Sequence, residues 1–384
     1  MSESVSIASI ALSNFRNHRK KSFEFSPKTT LITGPNGSGK TNILEAVHLL
    51  ATGESWRTED VGKMVGFGSE VSHVEGIING YNGQNGYNSY NNSSHSSHLN
   101  HLIKLNIVLT RGSVGGKRVA KISFKVDGTA RRKSDFAGKL KIVLFEPESL
   151  QIIIGDPSNR RKFLDEILKQ TDNDYANSLS VYSKALRVRN KLLDAIRDGR
   201  SRRDGLEYWE RAMVKHGESL QNKRRELVEW INFKTDKLQI EYQLNSISMD
   251  RLEKYREREI EAGFTFVGPQ RDELAIQIRL TGQKVDRLKN YQPASLPAFQ
   301  PLSAFGSRGE QRMAILNLKL LEAKWIEEKT EVAPVILLDD IFSELDEEHE
   351  KMVGELIRGR QTIITATEIH KGHYPEAEII SLEH

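Results

Sequence analysis

An α/β fold built around a phosphate-binding loop is what this sequence predicts, on three observations. Thr29 to Thr33 reads as a strand that runs into GPNGSGKT and then into the helix-forming ILEAVHLLA, with Ile43, Val47 and Leu50 on one face. VILLDD, at 335–340, is a continuous apolar run ending in two acids, the pattern of a strand buried on both faces. Between them, 158–268 holds no proline and carries long helical stripes, among them Tyr175, Tyr182, Leu186 and Leu193, which predicts an inserted helical lobe.

At 384 residues the chain is long enough for two domains of roughly 150 residues or more. Hydrophobic residues at 38%, charged residues at 28% and no cysteine exclude a disulfide scaffold, a thiolate metal site and a cysteine nucleophile. The balance of 56 basic against 52 acidic residues leaves a net charge of +4, so affinity for nucleic acid has to come from local clusters. No run approaches the ~20 apolar residues of a membrane span, and the N-terminus lacks a basic leader, so the expectation is a cytoplasmic protein without membrane partners.

The remaining elements follow in order. Val5 to Leu12 and Lys21 to Phe25 alternate as strands. Val71 to Ile78 and Leu102 to Leu109 can pair as a hairpin, and Lys121 to Val126 continues the β-rich region. The hairpin's tip, 79–101, holds seven Asn, five Ser and three His among its 23 residues and reads as a disordered insert. His95, His98 and His101 recur at three-residue spacing, but poor helix formers surround them and no carboxylate joins them, so a surface insert is the expected reading and a metal site is not. After a proline-rich loop at 292–301, helix and buried strand alternate to the end. The expected organisation is a discontinuous head, 1–157 with 264–384, interrupted by a helical lobe at 158–263.

The loop Gly34, Pro35, Asn36, Gly37, Ser38, Gly39, Lys40, Thr41 fits the pattern that cradles nucleoside triphosphates, and Asn42 follows it. Its glycines let backbone N–H groups close around phosphate, the helix start adds a positive dipole end, Lys40 reaches phosphate oxygens and Thr41 holds Mg²⁺. Asp339 is expected to hold the magnesium shell, directly or through water, and Asp340 to orient an attacking water. Ser307, Arg308 and Gly309 open another amphipathic helix; Ser307 is either a plain N-cap or part of a second phosphate site.

Taken together, GPNGSGKTNILEAV, SRGEQR, LLDD and SELD resemble the ABC-type ATPase head of SMC-like DNA repair proteins. NFRN, SWRT, LFEPESLQIIIGDPSNRRKFLDE, VGPQRDEL and LDDIFSELD bring the resemblance to the RecF family of recombination mediators. That resemblance implies an ATP- and Mg²⁺-dependent homodimer that binds duplex DNA at gaps and strand junctions and, with RecR and RecO, helps RecA load. It places Ser307, Arg308 and Gly309 against a nucleotide held by the other copy, Asp346 in the loop crossing between the sites, and Arg16 near the base or ribose. Against the wider ATPase family, Glu146 and Glu148 stand where a glutamine is usual, Thr367 stands where a histidine is usual, and His370 is displaced from that place. With Asp340 in place of a longer glutamate, the expected hydrolysis is slow. A transport-type ATPase subunit and an SMC-like organiser are the competing readings. The helical insertion argues against the first, and its shortness argues against the second.

For DNA, Lys184 to Arg203 holds eight basic and two acidic residues, with Lys184, Arg187 and Lys191 on one helical face; the bland alternative is a solvated face. Arg160 and Arg161 either contact DNA or tie the lobe to the head, and Arg131, Arg132 and Lys133 offer a further phosphate contact.

Overall fold

The computed structural model describes residues 3–80, 101–279, 299–340, 347–367 and 376–382. Two compact units emerge: Met1–Pro147 with Glu322–His384, and Glu148–Leu321. Among the described residues no helix is long and apolar enough to cross a membrane.

In the first unit, β1 (Ser6–Phe15), β2 (His18–Glu24), β4 (Val71–Gly80), β5 (His101–Thr110), β6 (Ile122–Val126) and β7 (Thr129–Arg131) form an antiparallel sheet. Its order is β7-β6-β5-β4-β1-β2. Alternation sets this register: Val71 pairs with Thr110 and Gly80 with His101, so Val74, Ile78, Leu105, Ile107 and Leu109 share the buried face. The 81–100 part of the Asn-rich insert, with His95 and His98, lies outside the described residues.

A parallel sheet forms the other layer from β3 (Thr29–Thr33), β8 (Ile142–Phe145), β12 (Val335–Asp339), β13 (Thr362–Ala366) and β14 (Glu378–Ser381), in the order β8-β12-β13-β3-β14. Helix α1 (Lys40–Thr52) is buried almost all round, which a helix can be only between two layers. Ile43, Leu44, Val47 and Leu50 share one core with Ile7, Ile10 and Leu12 of the antiparallel sheet and Ile32, Leu337 and Ile363 of the parallel one.

The second unit carries α2 (Pro157–Thr171), α3 (Asn173–Arg197), α4 (Glu207–Lys234) and α5 (Met249–Ala262). It also holds a sheet of β9 (Leu238–Gln243), β10 (Glu273–Arg279) and β11 (Phe299–Pro301). Residues 264–321, which the sequence reading joins to the head, fall in this unit. The reason is pairing: β10 runs antiparallel to β9 from Leu238↔Ile278 to Gln243↔Glu273, and β9 follows directly from α4. Helix α6 (Arg308–Thr330) buries Ala314, Leu318, Leu321 and Trp325 along one face, and α7 (Glu347–Ile357) precedes β13.

Two ion-pair clusters lie inside the helical unit. Arg189, fully buried on α3, meets Glu210 at 2.9 Å, Glu259 at 2.8 Å and the Thr265 hydroxyl at 2.8 Å. Arg224, on α4, pairs with Asp165 at 2.9 Å and Asp272 at 3.2 Å and donates to the Pro269 carbonyl at 2.8 Å. Paired charges of this kind fix which helices face each other.

Candidate phosphate site

The Gly34–Thr41 loop leaves the carboxyl end of β3 and turns into α1 through Gly39, whose φ of 100° is a left-handed conformation that disfavours a side chain. Gly34 is needed for closeness, since a Cβ there would sit 2.6 Å from the Leu382 carbonyl oxygen. Lys40, only 8% exposed, donates from Nζ to the Gly34 and Pro35 carbonyls at 2.7 and 3.0 Å. Its charge therefore lies over the loop at the positive end of the α1 dipole. The Ser38 hydroxyl oxygen is buried there with no hydrogen-bond partner among the described residues.

Asp339 ends β12 and is 7% exposed. Its Oδ1 accepts from the Thr41 hydroxyl at 3.0 Å and from the Thr365 hydroxyl at 2.6 Å. Burial holds its carboxyl above the ordinary range, with the Asp340 charge adding to this and the two threonine hydroxyls opposing it. Thus the carboxyl ends of β12, through Asp339, and β13, through Thr365, meet Thr41 at the start of the helix that follows β3. Asp340 is exposed and adopts a left-handed φ of 49°, its N–H donating to the Thr365 carbonyl and hydroxyl at 3.3 and 3.1 Å.

Arg16 sits at the β1–β2 turn. Its guanidinium grips the fully buried Glu45 carboxylate of α1 at 2.5 and 2.9 Å and donates to the Lys63 carbonyl at 2.9 Å. Arg57 and Ser55 reach the same carboxylate at 3.4 and 2.5 Å. Neither Glu45 nor Thr365 stands out in the sequence: one reads as a polar helix residue, the other as part of a strand.

Ser307 and Glu310 form a reciprocal cap at the start of α6. The Ser307 N–H and hydroxyl approach Glu310 Oε2 at 2.9 and 2.7 Å, and the Glu310 N–H approaches Ser307 Oγ at 3.3 Å. Ser307, Arg308 and Gly309 are all exposed. Asp346 and His370 lie outside the described residues, while Glu148 and Thr367 are exposed.

On α3, Lys184, Arg187 and Lys191 are exposed and lie opposite the buried Tyr175, Tyr182 and Leu193. The rest of that basic run is largely committed. Arg189 is buried in its ion pairs, Arg197 and Arg200 pair with Asp198, and Arg203 pairs with Glu257. Arg160 is tied to Glu273 at 2.8 Å and the Gly155 carbonyl at 2.7 Å, and Arg161 to the Asp272 carbonyl at 2.7 Å, all within the helical unit. Arg131 and Arg132 are exposed, and Lys133 pairs with Glu54.

Residues 6–378 match the model of the RecF/RecN/SMC N-terminal domain. The DNA replication and repair protein RecF of Lachnoclostridium phytofermentans is 33% identical over 94% of this chain and 92% of its own length. RecF of Roseiflexus castenholzii is 31% identical over 94% of this chain and 93% of its own. A solved structure of the recombination mediator RecF with ATP superposes with a TM-score of 0.76 at 27% identity, over 96% of this chain and 93% of that one. An ABC-type phosphate loop, an acid-ended parallel strand and an inserted helical unit, matched over nearly the whole length, make this chain a member of the RecF family of DNA replication and repair proteins.

Proposed function

We propose that this protein is an ATP-dependent DNA-binding protein of recombinational repair. In this reading ATP binding closes two copies around duplex DNA at gaps or junctions, and slow hydrolysis releases them. The observation that carries it is the 3.0 Å contact between Thr41 and Asp339 at the mouth of a glycine loop headed by Lys40. Two oxygen donors at the end of a loop whose buried Ser38 hydroxyl has no partner among the described residues suit a triphosphate and its hard divalent cation. Thr41 and Asp339 would hold Mg²⁺, which supplies charge neutralisation on the phosphates. Lys40 binds phosphate, Asp340 orients the attacking water, and Arg16 borders the base or ribose.

Ser307, Arg308 and Gly309 act on the nucleotide of the second copy, with Asp346 in the crossing loop. Ser307→Arg is therefore expected to leave ATP binding by the monomer intact and to block the ATP-induced dimer in analytical ultracentrifugation. A variant that still dimerises would sink this assignment. DNA lies along Lys184, Arg187 and Lys191 rather than Arg160 and Arg161, whose guanidinium groups are engaged. Replacing all three by alanine should weaken duplex binding and flatten the slope of log K against log salt by roughly 2–3, about 0.9 per lost phosphate contact. RecR as a partner, with RecO and RecA engaged indirectly, follows from the same reading.

Because burial raises the Asp339 carboxyl, the native state binds a proton that the unfolded chain has already released in the range just above pH 4. Stability contributed at this site therefore falls as pH rises through that window. Asp339→Asn is expected to raise the melting temperature in EDTA at pH 7, to lose that gain in acid, and to abolish Mg²⁺-dependent ATP binding. Equal melting of the two proteins at every pH would contradict the account of Asp339.

A further inference from the structure

A loop that presents backbone N–H groups to a phosphate has to turn its carbonyls outward, and each outward carbonyl needs a donor. Lys40 takes two of them, Gly34 and Pro35. The Gly37 carbonyl is met from the β1–β2 hairpin, which no part of the phosphate-loop pattern covers, and the Gly39 carbonyl, which already accepts from the Asn42 and Ile43 N–H groups of α1 at 3.0 and 3.2 Å, takes a further donor from the same hairpin. Asn17 Nδ2 donates to the Gly37 carbonyl at 3.2 Å, and His18 Nε2 lies 3.1 Å from the Gly39 carbonyl. Since a carbonyl only accepts, that histidine nitrogen carries the hydrogen.

The hairpin is itself braced. Asn17 Oδ1 accepts from Asn42 Nδ2 at 2.8 Å, and Asn42 Oδ1 accepts from Arg57 at 2.8 Å. The His18 ring is 5% exposed and stands edge-on to Phe23 at 5.8 Å. The packing leaves no slack, for a Cβ on Gly39 would lie 2.6 Å from both Asn17 Oδ1 and His18 Nε2.

We propose that Asn17 and His18 are positioning residues: Asn17 holds the Gly37 carbonyl outward, His18 fixes the Gly39 carbonyl where α1 begins, and together they keep the loop in its phosphate-binding form. They touch no phosphate themselves. Without them the competent loop is a smaller fraction of the population, and apparent affinity falls by that fraction for every phosphate ligand alike. The proposal rests on the phosphate-site reading above.

The test is titration of ATP and of ADP, with Mg²⁺, into the full chain carrying Asn17→Ala, His18→Leu or His18→Gln. Asn17→Ala and His18→Leu are expected to raise both Kd values together by about tenfold, the scale of one or two lost hydrogen bonds. The change falls on Kd and KM, with kcat moved less. His18→Gln, whose amide N–H can replace the imidazole donor, is expected to recover most of the affinity, which a purely structural role would not predict. Asn17 is exposed, so Asn17→Ala carries the test should His18→Leu fail to fold. Wild-type affinity in Asn17→Ala, or a loss confined to ATP, would overturn the proposal. Failure of the wild-type protein to bind either nucleotide would overturn the phosphate-site reading together with it.

Discussion

Lys40→Ala is expected to eliminate measurable ATP binding while leaving the fold in place. The Lys40 ammonium lies 2.7 and 3.0 Å from two loop carbonyls, buried at the amino end of α1, where the dipole and the loop N–H groups already favour an anion. Charge-assisted hydrogen bonds are each worth about 1.5–3 kcal/mol, so losing two or three to a triphosphate lowers affinity by on the order of a thousandfold or more. Calorimetric titration measures this, with far-ultraviolet circular dichroism confirming the fold. Binding within about threefold of wild type would remove Lys40 from the site.

Arg189→Ala is expected to be the most destabilising single change in the helical unit. Among the described residues it leaves the Glu259 charge without its cationic partner, with only the Phe266 N–H at 2.6 Å, and leaves Glu210 only Arg256, at 3.0 Å. Removing one member of a buried ion pair costs about 3–5 kcal/mol, because the remaining charge stays out of water. For a unit of this size that corresponds to a fall in melting temperature on the order of 10 °C. Adding Glu210→Gln and Glu259→Gln should restore part of the loss, since neutral amides do not demand a counter-charge. A fall of less than about 2 °C in thermal unfolding of Arg189→Ala would show that the cluster is not holding the helices.

The same residue shows where sequence reading stops. Arg189 counts toward the basic run from Lys184 to Arg203, yet it is buried, and Arg197, Arg200 and Arg203 are matched by acids that include Glu257, distant in sequence. Only tertiary packing separates the solvated cations Lys184, Arg187 and Lys191 from the committed ones. By contrast, the strand, loop and helix from Thr29 to Thr52 were legible because their signals are local: an apolar strand, glycines at fixed spacing and a helical stripe. Asp339 was legible for the same reason. Glu45 was not, since its burial depends on Arg16 and Arg57 arriving from separate segments, and Thr365 was hidden in a strand that reads as core. The unit boundary was misplaced because β10 looks like a head strand until its pairing with β9 is known.

Whether nucleotide controls DNA binding is tested most directly by fluorescence anisotropy of a labelled gapped duplex. Protein is titrated with and without ATP and Mg²⁺ across a salt series. Tight binding that appears only with ATP and weakens steeply with salt is the predicted result. Equal binding with and without nucleotide, or none in either state, would contradict the account.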